Sequence, residues 1–269
     1  MATADVLDAP PPTLGTEDAE RIARERYGLH ATAELLVSER DRNFRLTDAS
    51  GGGWVLKVSN AVEDPLVVEM EVAAVERIAL IDPTLPVPVA RAALDGSPIV
   101  IAEVGGASHL VRLLPLLPGR TAEPADLDAE AMAHLGEVVA RIGRALRGFF
   151  HPAAGRTIWW DQQHLPELAR RVVLEEQPDR RALMDRVLTR FAANVVPAFS
   201  SLRGQLIHND VTLDNLLLDE RNRVSGIAGP PRQERQEPHE MGGPADLGDD
   251  DRRAVKRGTS HGHREGGVE

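Results

Sequence analysis

The sequence predicts an α+β chain of two lobes: an antiparallel sheet with one long helix in the N-terminal lobe, then a mainly helical C-terminal lobe that is cut short. Three observations predict this. Before about residue 117 the apolar runs are strand-length and broken by Gly-rich turns. After Pro118 the apolar period lengthens to that of helices. From Ala228 onward apolar periodicity is absent. The chain has 269 residues, 42% hydrophobic and 27% charged, enough to bury one large domain or two small lobes.

Residues 1–15, "MATADVLDAPPPTLG", read as a disordered Pro-rich leader without the basic start and apolar run of a signal peptide. From Thr16 to Tyr27, Ala19, Ile22, Ala23 and Tyr27 recur at helical spacing, with Thr16 as the expected N-cap. Strands are predicted at Ala33–Val37, Asn43–Thr47 and Trp54–Ser59, the last two joined by a Gly-rich turn. Asp64 as cap and Pro65 at the first helical position open a helix whose stripe is Val68, Val72, Val75 and Ala79. Two more strands follow before the Pro-rich turn that ends the first lobe (16–117). In the second lobe (118–227), Met132, Leu135, Val139, Ile142, Leu146 and Phe149 mark a long amphipathic helix, and Leu183–Phe199 another.

Composition narrows function. The chain contains no cysteine, which excludes disulfides, thiolate metal sites and thiol nucleophiles and fits a reducing, cytoplasmic setting. A formal net charge of −11 opposes nucleic acid and anionic membranes and favours cationic small molecules such as amines. No run approaches the ~20 apolar residues that span a bilayer.

The chemistry-bearing stretch is "QLIHNDVTLDNLLLD", where His208, Asp210 and Asn215 form an H-x-D-x-x-x-x-N pattern between apolar runs. Phosphoryl transfer to a hydroxyl needs a carboxylate to orient the nucleophile and take its proton. It also needs an oxygen ligand nearby for magnesium. Asp210 and Asn215 suit those two tasks. A loop rich in Asp and Asn also caps helices and forms Asx-turns without any chemistry, so other parts must agree. "WVLKVS" places Lys57 opposite to Trp54, Leu56 and Val58 by strand alternation. Glu71 lies on or beside the apolar stripe of the following helix. Leaving that carboxylate buried and unpaired would cost several kcal/mol by rough estimate, so a Lys57–Glu71 ion pair is expected, with Glu69 as the fallback partner.

The order of these parts, from Thr16 to Ile227, resembles the aminoglycoside phosphotransferase and choline kinase-like superfamily, relatives of the protein kinases. The resemblance implies a two-lobed protein-kinase-like fold with "VRLLPLLPG" as the interlobe hinge, and ATP and Mg2+ as cofactors. By the same likeness Asp210 is the catalytic base, Asn215 a magnesium ligand and His208 a buried organiser of the loop, with Asp214 on the surface. Lys57 and Glu71 serve the nucleotide, and "SERDRNFRL", with Ser38, Arg42 and Asn43, is the loop covering it. "LVSERDRNFRLT", "LVRLLPLLPG" and "IHNDVTLDNLLLD" look most similar to hydroxylysine-kinase-like domains, including those fused to class III aminotransferases. That likeness implies a small amine-bearing hydroxyl acceptor, such as hydroxylysine, an amino alcohol or an aminoglycoside, and a fusion-partner domain in a full-length relative.

The sequence departs from the family where the strand begun by "RVSGI" should reach a magnesium-ligating Asp. It reads Ala228, Gly229, Pro230 and Pro231 instead, and residues 228–269 contain no aromatic residue. Asp246–Asp249 imitate the lost motif far downstream, and His261 and His263 read as tail. The expectation is a frameshifted, misassembled or prematurely ended kinase domain with impaired turnover. Two alternatives stand beside it: an inactive nucleotide-binding or interaction module, and a metal-dependent hydrolase built on His208 and Asp210.

Overall fold

The computed structural model describes residues 9, 11–38, 40–155, 165, 177–201 and 204–227, all within one compact unit, Met1–Glu234. The expectations for residues 1–8 and for the tail, including Asp246–Asp249, His261 and His263, lie outside the described residues.

Helix α1, Thr16–Tyr27, buries Ala19, Ile22, Ala23 and Tyr27, the four residues whose spacing predicts it. Its N-cap is Gly15 rather than Thr16: the Gly15 N–H donates to the Asp18 carboxylate at 3.3 Å, so the fourth residue of the turn performs the capping. Strands β1 (Ala31–Leu36), β2 (Arg42–Asp48), β3 (Gly53–Val58), β4 (Val100–Val104) and β5 (Ala107–Pro115) form one antiparallel sheet in the order β1-β2-β3-β5-β4. Between β4 and β5 the turn is Gly105–Gly106, with φ of 62° and 83°. Both torsions lie in the left-handed region that a two-residue hairpin turn demands.

Strand alternation divides the sheet into two faces. Phe44, Leu46, Leu56, Val58, Val111 and Leu113 point toward α1 and form the first apolar core with it. The opposite face carries the polar residues of the site. Helix α2, Pro65–Ile81, starts as its sequence directs, with the Asp64 carboxylate accepting the Leu66 N–H at 2.9 Å and Pro65 in the first turn.

A second core joins the end of α2 (Ile78, with Leu85 beyond it) to helix α3, Ala129–Ala145, and to a small sheet. That sheet is β6 (Arg120–Thr121), β7 (Leu216–Leu218) and β8 (Val224–Ile227). The buried face of α3 is Ala131, Val138, Ile142 and Ala145. Two residues of the expected stripe are out in solvent, Met132 at 50% and Val139 at 39% exposure. The rest of the expected stripe does face the core: Ile142 and Leu146 are buried in it, and Leu135 and Phe149 pack against it. Helix α4, Pro178–Asn194, replaces the expected Leu183–Phe199 helix, and a 3-10 turn follows at Val196–Ser201. Leu183, Met184 and Val187 remain exposed.

Polar ties brace the second core. Arg141 of α3 donates to both carboxylate oxygens of Asp82, at the end of α2, at 2.8 Å, and also to Thr84. This guanidinium holds the Asp82 carboxyl below the usual carboxylate range. The Ile227 N–H donates to the carbonyl of Pro86 at 2.9 Å. At the hinge, Arg120 donates to Asp126 at 2.7 Å and to Asn222 at 2.8 Å, and this lowers the Asp126 carboxyl to about 2.

Gly119, beside the hinge proline, has φ of 117°, and a Cβ there would lie 2.3 Å from Ser225 Oγ and 2.8 Å from the carbonyl oxygen of Leu218. Gly119→Ala is therefore expected to destabilise by about 1–3 kcal/mol, read as a lower urea midpoint. Gly136→Ala, in open space on α3, should raise that midpoint by a fraction of this amount.

Candidate active site

Register brings three polar side chains together on the face of the sheet away from α1. Asn43 on β2 is directly opposite Lys57 on β3, and Lys57 is directly opposite Arg112 on β5. Cross-strand partners sit about 5 Å apart at Cβ, so Lys57 and Arg112 are two adjacent positive charges and need counter-ions. They have two. Lys57 Nζ lies 3.1 Å from Asp41 Oδ2, with the side chains 26% and 19% exposed. Arg112 Nη1 donates to Glu71 Oε2 at 2.9 Å, with the side chains 6% and 36% exposed.

The expected Lys57–Glu71 pair is thus divided. Glu71 does take a cation, as its place on α2 requires, but that cation is Arg112. Arg112 is a lone charge inside the apolar run "HLVRLLP", and the alignment of β5 with β3 is the signal that finds it. Asp41 belongs to the β1–β2 loop, where nothing in the sequence distinguishes it from its acidic and basic neighbours. Glu69, the fallback, is exposed.

Arg42 and Asn43 are neighbours on β2 and so face opposite ways. Arg42 points to the α1 side and donates through Nε to the carbonyl of Leu14 at 3.3 Å. Asn43 faces Lys57, is buried, and leaves Oδ1 without a hydrogen-bond partner, as does Arg112 at Nε. Ser38 sits half-buried two residues beyond β1.

The loop from Gln205 to Thr212 has no regular structure and enters a short 3-10 turn, Leu213–Asn215. Gln205 Nε2 fastens it to the Gly143 carbonyl of α3 at 3.0 Å. Asn209 has φ of 58°, a left-handed conformation that Asn tolerates, and this turns the chain between His208 and Asp210. Asn215 is buried, and its Nδ2 donates to both the backbone carbonyl and the Oδ2 of Asp210, each at 2.8 Å. The amide therefore fixes the Asp210 carboxylate on an exposed loop and leaves Oδ1 as its own ligating end. Asp214 is exposed, as expected.

His208 is half-buried. Burial pushes its imidazole below the usual value, while Asp210 and Glu71 pull it upward. That both carboxylates act on it places the loop beside α2. Its Nδ1 is buried without a hydrogen-bond partner.

These residues fit a nucleotide through one group: the half-buried Lys57 on the sheet face offers a cation to phosphate. They fit a divalent cation only in part. Magnesium takes oxygen ligands. The described residues contribute Asn215 Oδ1 without any group of three or more His, Asp or Glu that could hold a metal, and position 228 is alanine. This also leaves the hydrolase alternative without a metal cluster among the described residues.

A polar loop carrying a fixed carboxylate and a sheet face carrying Lys57 and Arg112 are the parts of a site of the kinase-like class. The chain belongs to the phosphotransferase enzyme family, whose profile matches residues 32–227. It is similar to hydroxylysine kinase of Mus musculus, 26% identical over 256 residues, covering 88% of this chain and 65% of that protein. The chain thus spans less than two thirds of the length of that relative. Among solved structures, amicoumacin kinase in complex with AMP-PNP, Ca2+ and Ami gives a TM-score of 0.59 at 16% identity, covering 78% of this chain and 62% of that one. A microcompartment-associated aminopropanol kinase gives 0.51 at 19% identity, covering 78% and 67%. These likenesses establish the kinase-like fold. No described helix is long and apolar enough to cross a membrane.

The lowered imidazole of His208 sets a sign for pH dependence. The unfolded chain binds a proton near the ordinary histidine value and the folded chain only at lower pH, so acidification through that range favours unfolding. The stability advantage of the native protein over His208→Gln should therefore narrow as pH falls below about 6.5. Parallel denaturation curves of the two proteins across pH 8 to 5 measure it, and an unchanged or widening difference would contradict the assignment.

Proposed function

We propose that the chain is an ATP-dependent phosphotransferase whose acceptor is the hydroxyl of a small amine-bearing molecule such as hydroxylysine, an amino alcohol or an aminoglycoside. The observation that carries this is the pair of hydrogen bonds by which Asn215 fixes Asp210. Such a carboxylate, held from behind and open to solvent in front, can orient an acceptor hydroxyl and receive its proton. Lys57 supplies the cation for nucleotide phosphates, and Glu71 is held at the lobe junction by Arg112. A bound divalent cation would neutralise phosphate charge, with Asn215 Oδ1 as one of its ligands. The negatively charged chain and the hydroxylysine-kinase likeness both favour an amine-bearing acceptor.

A second reading is favoured by Ala228, which stands where this family places a carboxylate ligand. On that reading the chain binds nucleotide without useful turnover, and the sequence from Ala228 is the product of a frameshift or of misassembly.

Magnesium and ATP together are expected to raise the thermal midpoint, since a ligand of the folded state stabilises it. In an ADP-release assay with hydroxylysine, ethanolamine and an aminoglycoside as acceptors, Asp210→Asn should lower turnover by about 10²- to 10⁴-fold. A midpoint that rises without any acceptor-dependent ADP release selects the second reading, and no rise in a cooperatively folding sample rejects both.

A further inference from the structure

Asp41 is more than a neighbour of Lys57. Its carboxylate lies 3.1 Å from the ammonium in a setting where both side chains are largely withdrawn from water, so the attraction exceeds that of a surface pair. The same carboxylate is anchored from behind: Oδ1 accepts the Asn60 N–H at 3.3 Å. Asn60 is itself buried, donates through Nδ2 to the Arg40 carbonyl at 3.4 Å and accepts the Val62 N–H at 3.2 Å. The β1–β2 loop is thereby pinned to the junction of β3 and α2, with Asp41 turned onto Lys57. Meanwhile Glu71 is bound by Arg112 at 2.9 Å. The ion pair of the ammonium is thus with Asp41 of the loop.

We propose that Asp41 is a built-in competitor for Lys57, an anionic plug that nucleotide phosphate must displace from the ammonium, so that phosphate binding and release of the β1–β2 loop are one event. This rests on the nucleotide reading of the site. Phosphate reaching Lys57 while Asp41 stays in place would crowd two anions onto one cation, with like-charge repulsion at close range. Displacement instead costs the Lys57–Asp41 attraction and the loop contacts through Asn60. In either case the charge of Asp41 lowers affinity for phosphate and leaves affinity for an uncharged nucleoside untouched.

Asp41→Asn tests this because the amide oxygen still accepts the Asn60 N–H while the charge is gone. Binding of AMP-PNP and of adenosine is measured by calorimetry to the full chain, to Asp41→Asn, to Lys57→Met and to the double variant. Asp41→Asn is expected to tighten AMP-PNP roughly three- to tenfold, leave adenosine unchanged, and lose its effect when Lys57 is Met. Equal or weaker AMP-PNP binding by Asp41→Asn overturns the proposal while leaving the nucleotide site intact. Equal tightening of adenosine, or tightening that persists without Lys57, also overturns it, because the effect would then be steric or general to the field. Failure of every variant to bind either probe rejects the nucleotide reading, and the proposal falls with it.

Discussion

Two like charges side by side on one face of a sheet are the constraint from which the site follows. The register of β2, β3 and β5 is fixed by the opposite face, where Phe44, Leu56 and Leu113 must meet α1 in the first core. A slip by one residue would turn that apolar set into solvent. The same register forces Lys57 beside Arg112. Each cation then requires its own carboxylate, one from the loop and one from α2, and the positions of Asp41 and Glu71 satisfy that requirement. Core packing on one face thus dictates electrostatics on the other.

The helical side obeys a different rule, hydrogen-bond satisfaction. Asn215 is buried, and its amide protons go to Asp210 twice over. Losing the Asp210 carboxylate takes one of two acceptors from that buried amide, so the turn Leu213–Asn215 and the exposed carboxylate are tied together. His208 stands half-buried in the same loop. Its unpartnered Nδ1 shows that the loop does not lean on it as a donor or acceptor at that atom.

Much of this was legible in the residues. Alternation in "WVLKVS" gives the facing of Lys57, and the Asp64–Pro65 pair gives the start of α2 to the residue. The spacing of His208, Asp210 and Asn215 points to a loop whose members cooperate. What was not legible is what depends on register between distant segments. Arg112 becomes the partner of Glu71 only when β5 is laid against β3, fifty-five residues from Lys57 to Arg112 along the chain (112 − 57). On α3, Leu135, Ile142, Leu146 and Phe149 of the expected stripe do meet the core, while Met132 and Val139 stand outside it and Val138 and Ala145 stand inside. Spacing finds such a face, and the partners packed against it set where its edges fall.

The bidentate tie from Arg141 to Asp82, with Ile78 and Leu85 in the second core, gives α2 a fixed end and a working end. Eleven residues separate Asp82 from Glu71 (82 − 71), or ~16 Å of helix. Glu71 stands in the N-terminal half of α2, between buried Met70 and Val72, so the helix joins the Arg141 tie to the cation pair as one rod. A tilt of about 4° at Asp82 moves Glu71 by about 1 Å, enough to make or break a hydrogen bond. How α3 seats against Asp82 therefore bears on the Glu71–Arg112 contact, and a substitution at Arg141 reaches a site it never touches.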